Sequence, residues 1–183
     1  VTGKKVLLWH IAKFGSLTVG HPVGNWIYPI TGSYTSSTLL LTVDRLYAIP
    51  IYIANPTTLD RISIDVTTGV AGTARLGIYE NDYNTGYPAA LVFDGGTVDL
   101  TSIAVVELTI SQLLAPGIYW LALVCNSAAT VRRTAASGTI MGTVLGNTSN
   151  SDTSGSTQSI GVYVAQAYGA LPNPFTASGT YGA

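Results

Sequence analysis

The sequence predicts an all-β protein: an antiparallel, jelly-roll-like β-sandwich preceded by an N-terminal arm. Apolar and polar residues alternate with a period of two over much of the chain from residue 46 onward. Turn-forming residues separate these runs at spacings of roughly 8–12 residues, which is typical of sandwiches and barrels. A chain of 183 residues suits one domain with an arm, and we assign residues 1–25 to the arm and 26–183 to the sandwich.

Half-buried strands are predicted where the alternation is strict, at residues 59–66, 74–79 and 106–110. Further strands are predicted at residues 39–43, 90–93, 97–100, 130–134 and 160–165. Turns are predicted at residues 55–56, 68–69, 81–86, 94–96 and 115–117, where Gly, Pro, Asn and Asp gather.

Two runs, residues 46–53 and 118–124, are apolar almost throughout. Such continuous runs indicate strands that are covered on both faces. Pro50 lies inside the first run, and because proline has no backbone N–H, we expect it to break the strand or to place it at a sheet edge. Trp120 in the second run is expected in the core.

The N-terminal arm combines lysines with a concentrated apolar stretch. Its apolar side chains are Val6, Leu7, Leu8, Trp9, Ile11 and Phe14. Apolar content of this kind should be buried, so we predict that the arm docks on a neighbouring subunit. An extra strand or short helix that closes the arm's own sandwich is an equal alternative. Residues 146–157 are almost wholly small and polar, which predicts an exposed loop.

The low charge is the strongest compositional signal. Charged residues make up 9% of the chain, against roughly 25% in a typical domain, while 47% of residues are hydrophobic. A surface with so few charges tends to be covered by a partner. We therefore expect this chain to be part of an assembly.

Several functional classes are excluded by the same composition. The net charge of −1 argues against a nucleic-acid binder, because phosphate affinity needs clustered Lys and Arg. No apolar run reaches the roughly 18 residues of a membrane span. The single cysteine, Cys125, is expected to be an inert buried thiol and excludes an internal disulfide framework. No motif for catalysis, metal binding or cofactor binding occurs, so we predict a non-enzymatic protein without a cofactor.

One loop carries a candidate binding site. Residues 80–86 place oxygen-bearing side chains at 80, 82 and 84, as at the start of a calcium loop, but the later positions do not fit, so a plain hairpin loop is favoured. Aromatic rings can pack on the apolar C–H faces of a sugar while Asn and Asp bind its hydroxyls. The candidate glycan contacts are Tyr79, Asp82, Tyr83, Asn84 and Tyr87. Tyr79 follows the inward-facing Ile78 and is expected to point outward; ordinary loop tyrosines are the alternative.

Seven short motifs occur in a distinctive order along the chain. They are RLYAIPIY at 45–52, LDRI at 59–62, RLGIYEND at 75–82, GYP at 86–88, GTVD at 96–99, PGIYWLA at 116–122 and LPNPF at 171–175. Together they resemble a module found in virion structural proteins of tailed bacteriophages, in head or tail fibres, receptor-binding tips and capsid-associated proteins. The resemblance implies an exposed, usually trimeric β-sandwich with no catalytic residues.

The residues and the resemblance together predict a surface protein of a phage virion. It would decorate or stabilise the particle as an oligomer, with capsid or fibre components as partners. The alternative is a module of a tail or head fibre that binds a host-surface glycan.

Overall fold

The computed structural model describes residues 24, 26–27, 35–135, 161–175 and 180–182 of the chain. These residues form ten β-strands. The strands are β1 (Thr35–Leu40), β2 (Arg45–Ile53), β3 (Thr57–Thr68), β4 (Thr73–Asn81), β5 (Pro88–Asp99), β6 (Ala104–Leu114), β7 (Gly117–Cys125), β8 (Thr130–Ala135), β9 (Gly161–Ala165) and β10 (Thr180–Gly182). Of the predicted arm, only Gly24 lies within the described residues.

The strands form two antiparallel sheets. Sheet A has the order β1-β8-β3-β6, and sheet B has the order β10-β9-β2-β7-β4-β5. The first eight strands pair in a nested way, β1 with β8, β2 with β7, β3 with β6 and β4 with β5. Strands β9 and β10 add to sheet B at the β2 edge. The prediction of an antiparallel β-sandwich is confirmed.

An inner core fills the space between the two sheets. Sheet A contributes Ile62 and Val66 from β3, and sheet B contributes Ile51, Leu76 and Ile78 from β2 and β4. All of these side chains are buried. The strict alternation predicted for β3, β4 and β6 therefore turns their apolar residues towards this core, because successive side chains of a strand point to opposite faces.

A second cluster lies on the outer face of sheet B. Leu46, Trp120 and Val124 belong to this outer cluster, together with Leu171 and Phe175 from the segment after β9. Strands β2 and β7 thus bury side chains on both faces, as their continuous apolar sequences predicted. Trp120 is fully buried, as expected, but it lies in the outer cluster rather than between the sheets.

Residues 166–175, which we call the covering segment, are tied to sheet B by hydrogen bonds at both ends. Tyr168 N donates to Asp44 Oδ1 (2.7 Å) near the start. Phe175 N donates to Ala89 O (2.9 Å) at the end. A hydrogen bond to a side chain also joins the covering segment to β5, since Leu91 N donates to Asn173 Oδ1 (3.1 Å).

Pro50 does not break its strand, and one predicted turn lies inside a strand. Strand β2 continues through Pro50, which lies opposite Trp120 of β7, so the proline does not break the strand. Strand β9 pairs with β2 only at residues 45–48, so among the described residues no strand pairs with β2 on that side at Pro50. The expected edge position of the proline therefore holds locally. The predicted turn at residues 94–96 is an irregularity inside the continuous strand β5, where Gly95 is the extra residue between two registers of β4.

Candidate functional site

The loop between β4 and β5, residues 82–87, forms a closed hairpin connection that we call the Tyr83 loop. Asp82 N donates to Tyr87 O (2.8 Å), and Gly86 N donates to Asp82 O (2.7 Å). Gly86 has a φ of 72°, in the left-handed region that glycine adopts without steric cost. The favoured sequence interpretation, a plain hairpin loop, agrees with this geometry.

The Asp82 carboxylate holds this loop together from within. Its Oδ1 accepts a bond from Asn84 N (2.8 Å), and its Oδ2 accepts one from Thr85 Oγ1 (2.9 Å). These bonds hold the pKa of Asp82 below its ordinary value, because they favour the ionised carboxylate. Asp82 therefore acts first as a turn-forming residue. Within the described part of the chain, no group of three His, Cys, Asp or Glu residues is placed to hold a metal ion.

Tyr79 does not belong to an exposed aromatic platform, so this part of the prediction is wrong. Its side chain lies opposite Ile78, as alternation predicted, but the covering segment buries it completely. The hydroxyl donates to Pro172 O (2.8 Å), and the ring packs edge-on against Phe175 with centroids 5.3 Å apart. Burial and the nearby Asp94 carboxylate raise the pKa of Tyr79 well above its ordinary value.

Tyr83 is exposed, with 72% of its surface accessible. Its hydroxyl accepts a hydrogen bond from Ile118 N at the start of β7 (3.1 Å). This contact requires the absence of a side chain at Gly117, where a Cβ would lie 2.9 Å from the Tyr83 hydroxyl. The ring is therefore fixed at one end while much of its surface remains accessible.

The other two predicted contacts differ in exposure. Asn84 is exposed beside Tyr83 in the same loop. Tyr87 is half-buried and packs against the outer cluster. Of the five predicted contacts, the structure therefore leaves Tyr83 and Asn84 as exposed side chains, and Asp82 shapes the loop that carries them.

Tyr52 is a candidate contact that the sequence analysis missed. It lies directly across from Ile118 in the β2–β7 register, and half of its surface is accessible. Ile118 is the residue whose N–H binds the Tyr83 hydroxyl, so the two exposed tyrosines flank the same residue of β7. The period of two in β2 could have indicated its position, because Tyr52 lies on the same face of the strand as Leu46 and Ala48, whose side chains enter the outer cluster.

The outer face of sheet A is a second candidate surface. Arg61 Nε pairs with Glu107 Oε2 (3.2 Å), and Arg132 Nε pairs with Asp65 Oδ2 (2.6 Å). The second pair joins β8 to β3. Large apolar side chains are also exposed on the strands of sheet A and directly before β6. They are Leu40 on β1, Ile103 before β6, and Val105 and Leu113 on β6.

The remaining predicted residues are either outside the described part of the chain or buried. The docking-arm residues Val6, Leu7, Leu8, Trp9, Ile11 and Phe14 and the predicted loop at residues 146–157 lie outside the described residues. Cys125 is buried as expected, with its thiol donating to Thr42 O (3.6 Å), and burial raises the pKa of that thiol. No helix long and apolar enough to cross a membrane occurs among the described residues.

Comparison with known proteins found no matching family model, no similar curated protein and no similar solved structure. The resemblance to phage virion modules therefore stays a prediction.

Proposed function

We propose that this chain is a non-enzymatic surface protein of a tailed-phage virion that decorates or stabilises the particle as an oligomer. The observation that carries the proposal is the outer face of sheet A, which exposes large apolar side chains on a chain with only 9% charged residues. Large apolar side chains that are exposed in this way favour burial against another protein. Burying about 1,600 Å² per contact, at about 25 cal/mol per Å² before ordering costs, would be ordinary for such an assembly.

The placement of the resembling motifs also supports the proposal. Residues 45–52, 75–82 and 116–122 lie on β2, β4 and β7, which are adjacent strands in the centre of sheet B. The motif at 171–175 belongs to the covering segment that packs on these strands. Motifs that are far apart in sequence thus form one continuous part of the fold.

In this proposal the protein is a homotrimer at the virion surface, and its arm binds a capsid or fibre component. Deleting residues 1–20 should abolish attachment to particles while the sandwich remains folded. Attachment is measured by adding purified chain to particles that lack it and analysing the particles for bound protein. Circular dichroism of the truncated chain is the control for folding. Full attachment of the truncated chain would refute the docking role of the arm.

The alternative function is recognition of a host-surface glycan, and it is favoured by the position of Tyr83 and Tyr52 around Ile118. Two exposed tyrosine rings with Asn84 nearby offer apolar faces and an amide to a sugar. The test is a glycan array probed with the unaltered chain, Tyr83→Ala and Tyr52→Ala. Tyr83→Phe is the matched control, because it keeps the ring and removes only the hydroxyl. Absence of binding, or binding that both alanine variants retain, would refute this alternative.

A further inference from the structure

Strand β6 forms one edge of sheet A. It pairs with β3 on one side, and among the described residues no strand pairs with its other side. Eleven residues, Ala104–Leu114, are therefore available at this edge. The unpaired N–H and C=O groups of an edge strand can bind another strand.

The strand has few of the features that prevent edge pairing. Between Ala104 and Leu114 there is no proline and no lysine, and Glu107 is the one charged residue. Exposed and less exposed residues alternate regularly from residue 105 to the end of the strand. The register shift against β3 lies in β6, where the two residues Ile110 and Ser111 stand against the single residue Asp60 of β3, while exposure along β6 keeps its alternation.

Apolar side chains lie near both ends of the exposed face of β6. Val105 is 57% exposed, and Leu113 is 65% exposed. Glu107, Thr109 and Ser111 lie between them on the same face. The pattern along this face is thus apolar, acidic, neutral, neutral and apolar, with Thr109 at its centre.

We propose that β6 is an interface between two copies of this chain, which pair antiparallel about a twofold axis at Thr109. Full overlap of the two strands places Ala104 opposite Leu114 of the second copy and Thr109 opposite Thr109. In this register Val105 faces Leu113 of the second copy at both ends of the contact. Glu107 faces Ser111, so the two acidic residues do not oppose each other. Apolar cross-strand pairs stabilise a sheet, whereas like charges placed directly opposite destabilise it.

Other registers lose this match. Sliding one strand by two residues in one direction sets Leu113 against Glu107. Sliding it in the other direction sets Val105 against Ser111 and requires Ile103, which precedes the strand, to face Leu113. The register of full overlap is therefore also the one that pairs the exposed apolar residues within the strand. A second copy explains this symmetry, which an unrelated partner strand would not require.

This inference does not depend on the proposed virion function. A twofold contact cannot close a trimer, so a chain that also forms trimers would join two of them into a hexamer or link neighbouring trimers. Particle attachment tests the virion function, and cross-linking tests the β6 contact, so the two can fail separately.

The experiment is oxidative cross-linking of single-cysteine replacements in the full chain. Thr109→Cys should form a disulfide-linked dimer under mild oxidation, because the axis brings the two Cα atoms within the range of a disulfide. On non-reducing electrophoresis the mass should shift from 19.1 kDa to twice that value. Ser63→Cys is the matched control: it lies one strand inward, next to Glu107, and should remain a monomer. Cys125 is buried and is retained in all variants.

The register is tested by mixing two variants. Val105→Cys and Leu113→Cys should cross-link when mixed, whereas neither should cross-link alone. Failure of Thr109→Cys to dimerise in a folded chain would overturn the proposal, as would equal dimerisation of Ser63→Cys. Loss of all oligomers on deletion of residues 1–20, with no Thr109→Cys dimer, would overturn the proposal in favour of assembly through the arm.

Discussion

The outer faces of the two sheets differ in how far they are shielded from solvent. Sheet B buries its outer face under the covering segment, and Trp120, Tyr79 and Phe175 are almost fully removed from solvent. Sheet A shows two exposed ion pairs and large apolar side chains on the corresponding face. The difference shows that the chain closes one sheet with its own residues, and we infer that a partner covers part of the other.

The largest contrast is expected from truncating one side chain in each region. Trp120→Ala removes a fully buried ring and leaves the Asn81 carboxamide without the indole N–H that donates to it (2.9 Å). We expect the free energy of unfolding to fall by about 3–5 kcal/mol. Leu113→Ala on sheet A should change the stability of the monomer by less than about 0.5 kcal/mol.

Urea denaturation of dilute monomer measures both variants. Equal losses in the two variants would show that the outer cluster does not contribute more to stability than the exposed face of sheet A.

The covering segment can be tested through its terminal aromatic residue. Phe175→Ala should lower the free energy of unfolding by about 3 kcal/mol, because it opens a cavity beside Tyr79. It should also lower the pKa of Tyr79 towards 10, since the ring that covers the tyrosine is lost. Site-assigned NMR titration of the folded variant follows the Tyr79 phenol, which ultraviolet absorbance would not separate from the chain's other tyrosines. An unchanged Tyr79 titration would mean that the segment does not shield this side chain.

The ion pairs of the two sheets should differ in strength. Asp94 accepts Arg75 Nε with both oxygens (2.7 and 2.9 Å) and also accepts Leu171 N (3.2 Å), so it joins sheet B to the covering segment. Asp94→Asn should cost about 1–3 kcal/mol. Glu107→Gln breaks an exposed pair and should cost less than about 1 kcal/mol.

Acidification gives a second measurement of the Asp94 contact. Partial burial raises the pKa of this carboxyl, but the bonds from Arg75, Leu171 and Gly96 outweigh burial and hold it below the ordinary 3.8. Its contribution to stability is therefore present above pH 3.8 and is lost as the pH falls through the lowered pKa. Denaturation midpoints should fall less on acidification in Asp94→Asn than in the unaltered chain. Identical pH profiles would contradict this role.

The smallest contrast concerns two tyrosine hydroxyls that bind backbone groups. Tyr79→Phe removes a buried bond to Pro172 O and should cost about 1 kcal/mol. Tyr83→Phe removes an exposed bond from Ile118 N, whose donor can bind water instead, so the cost should be less than about 0.5 kcal/mol. Thermal denaturation shows which of the two variants loses more stability. A larger loss for Tyr83→Phe would contradict this expectation.

The sequence predicted the strands well because period-two alternation reports directly which face of a strand is buried. The continuous apolar runs around Leu46 and Trp120 also predicted correctly that β2 and β7 are covered on both sides. What covers them could not be predicted, since the packing of Leu171 and Phe175 on β2 and β7, which are distant in the sequence, depends on tertiary contacts that no local pattern encodes.

The candidate site was predicted only in part for the same reason. Tyr83 and Asn84 are exposed because they occupy a loop that the turn residues identify. Tyr79 was placed on the correct face, but alternation does not distinguish a solvent-facing side chain from one buried by a distant segment. Tyr52 was missed because its proximity to Tyr83 arises from pairing between β2 and β7.

The central claim is that this chain covers part of its exposed surface by assembly, and its solution mass tests that claim most directly. Light scattering of the purified chain, with and without residues 1–20, gives the mass in each case. The account predicts a mass of at least twice 19.1 kDa for the full chain, with the truncated chain showing whether the sandwich assembles by itself. A mass of 19.1 kDa for both, at every concentration examined, would contradict it.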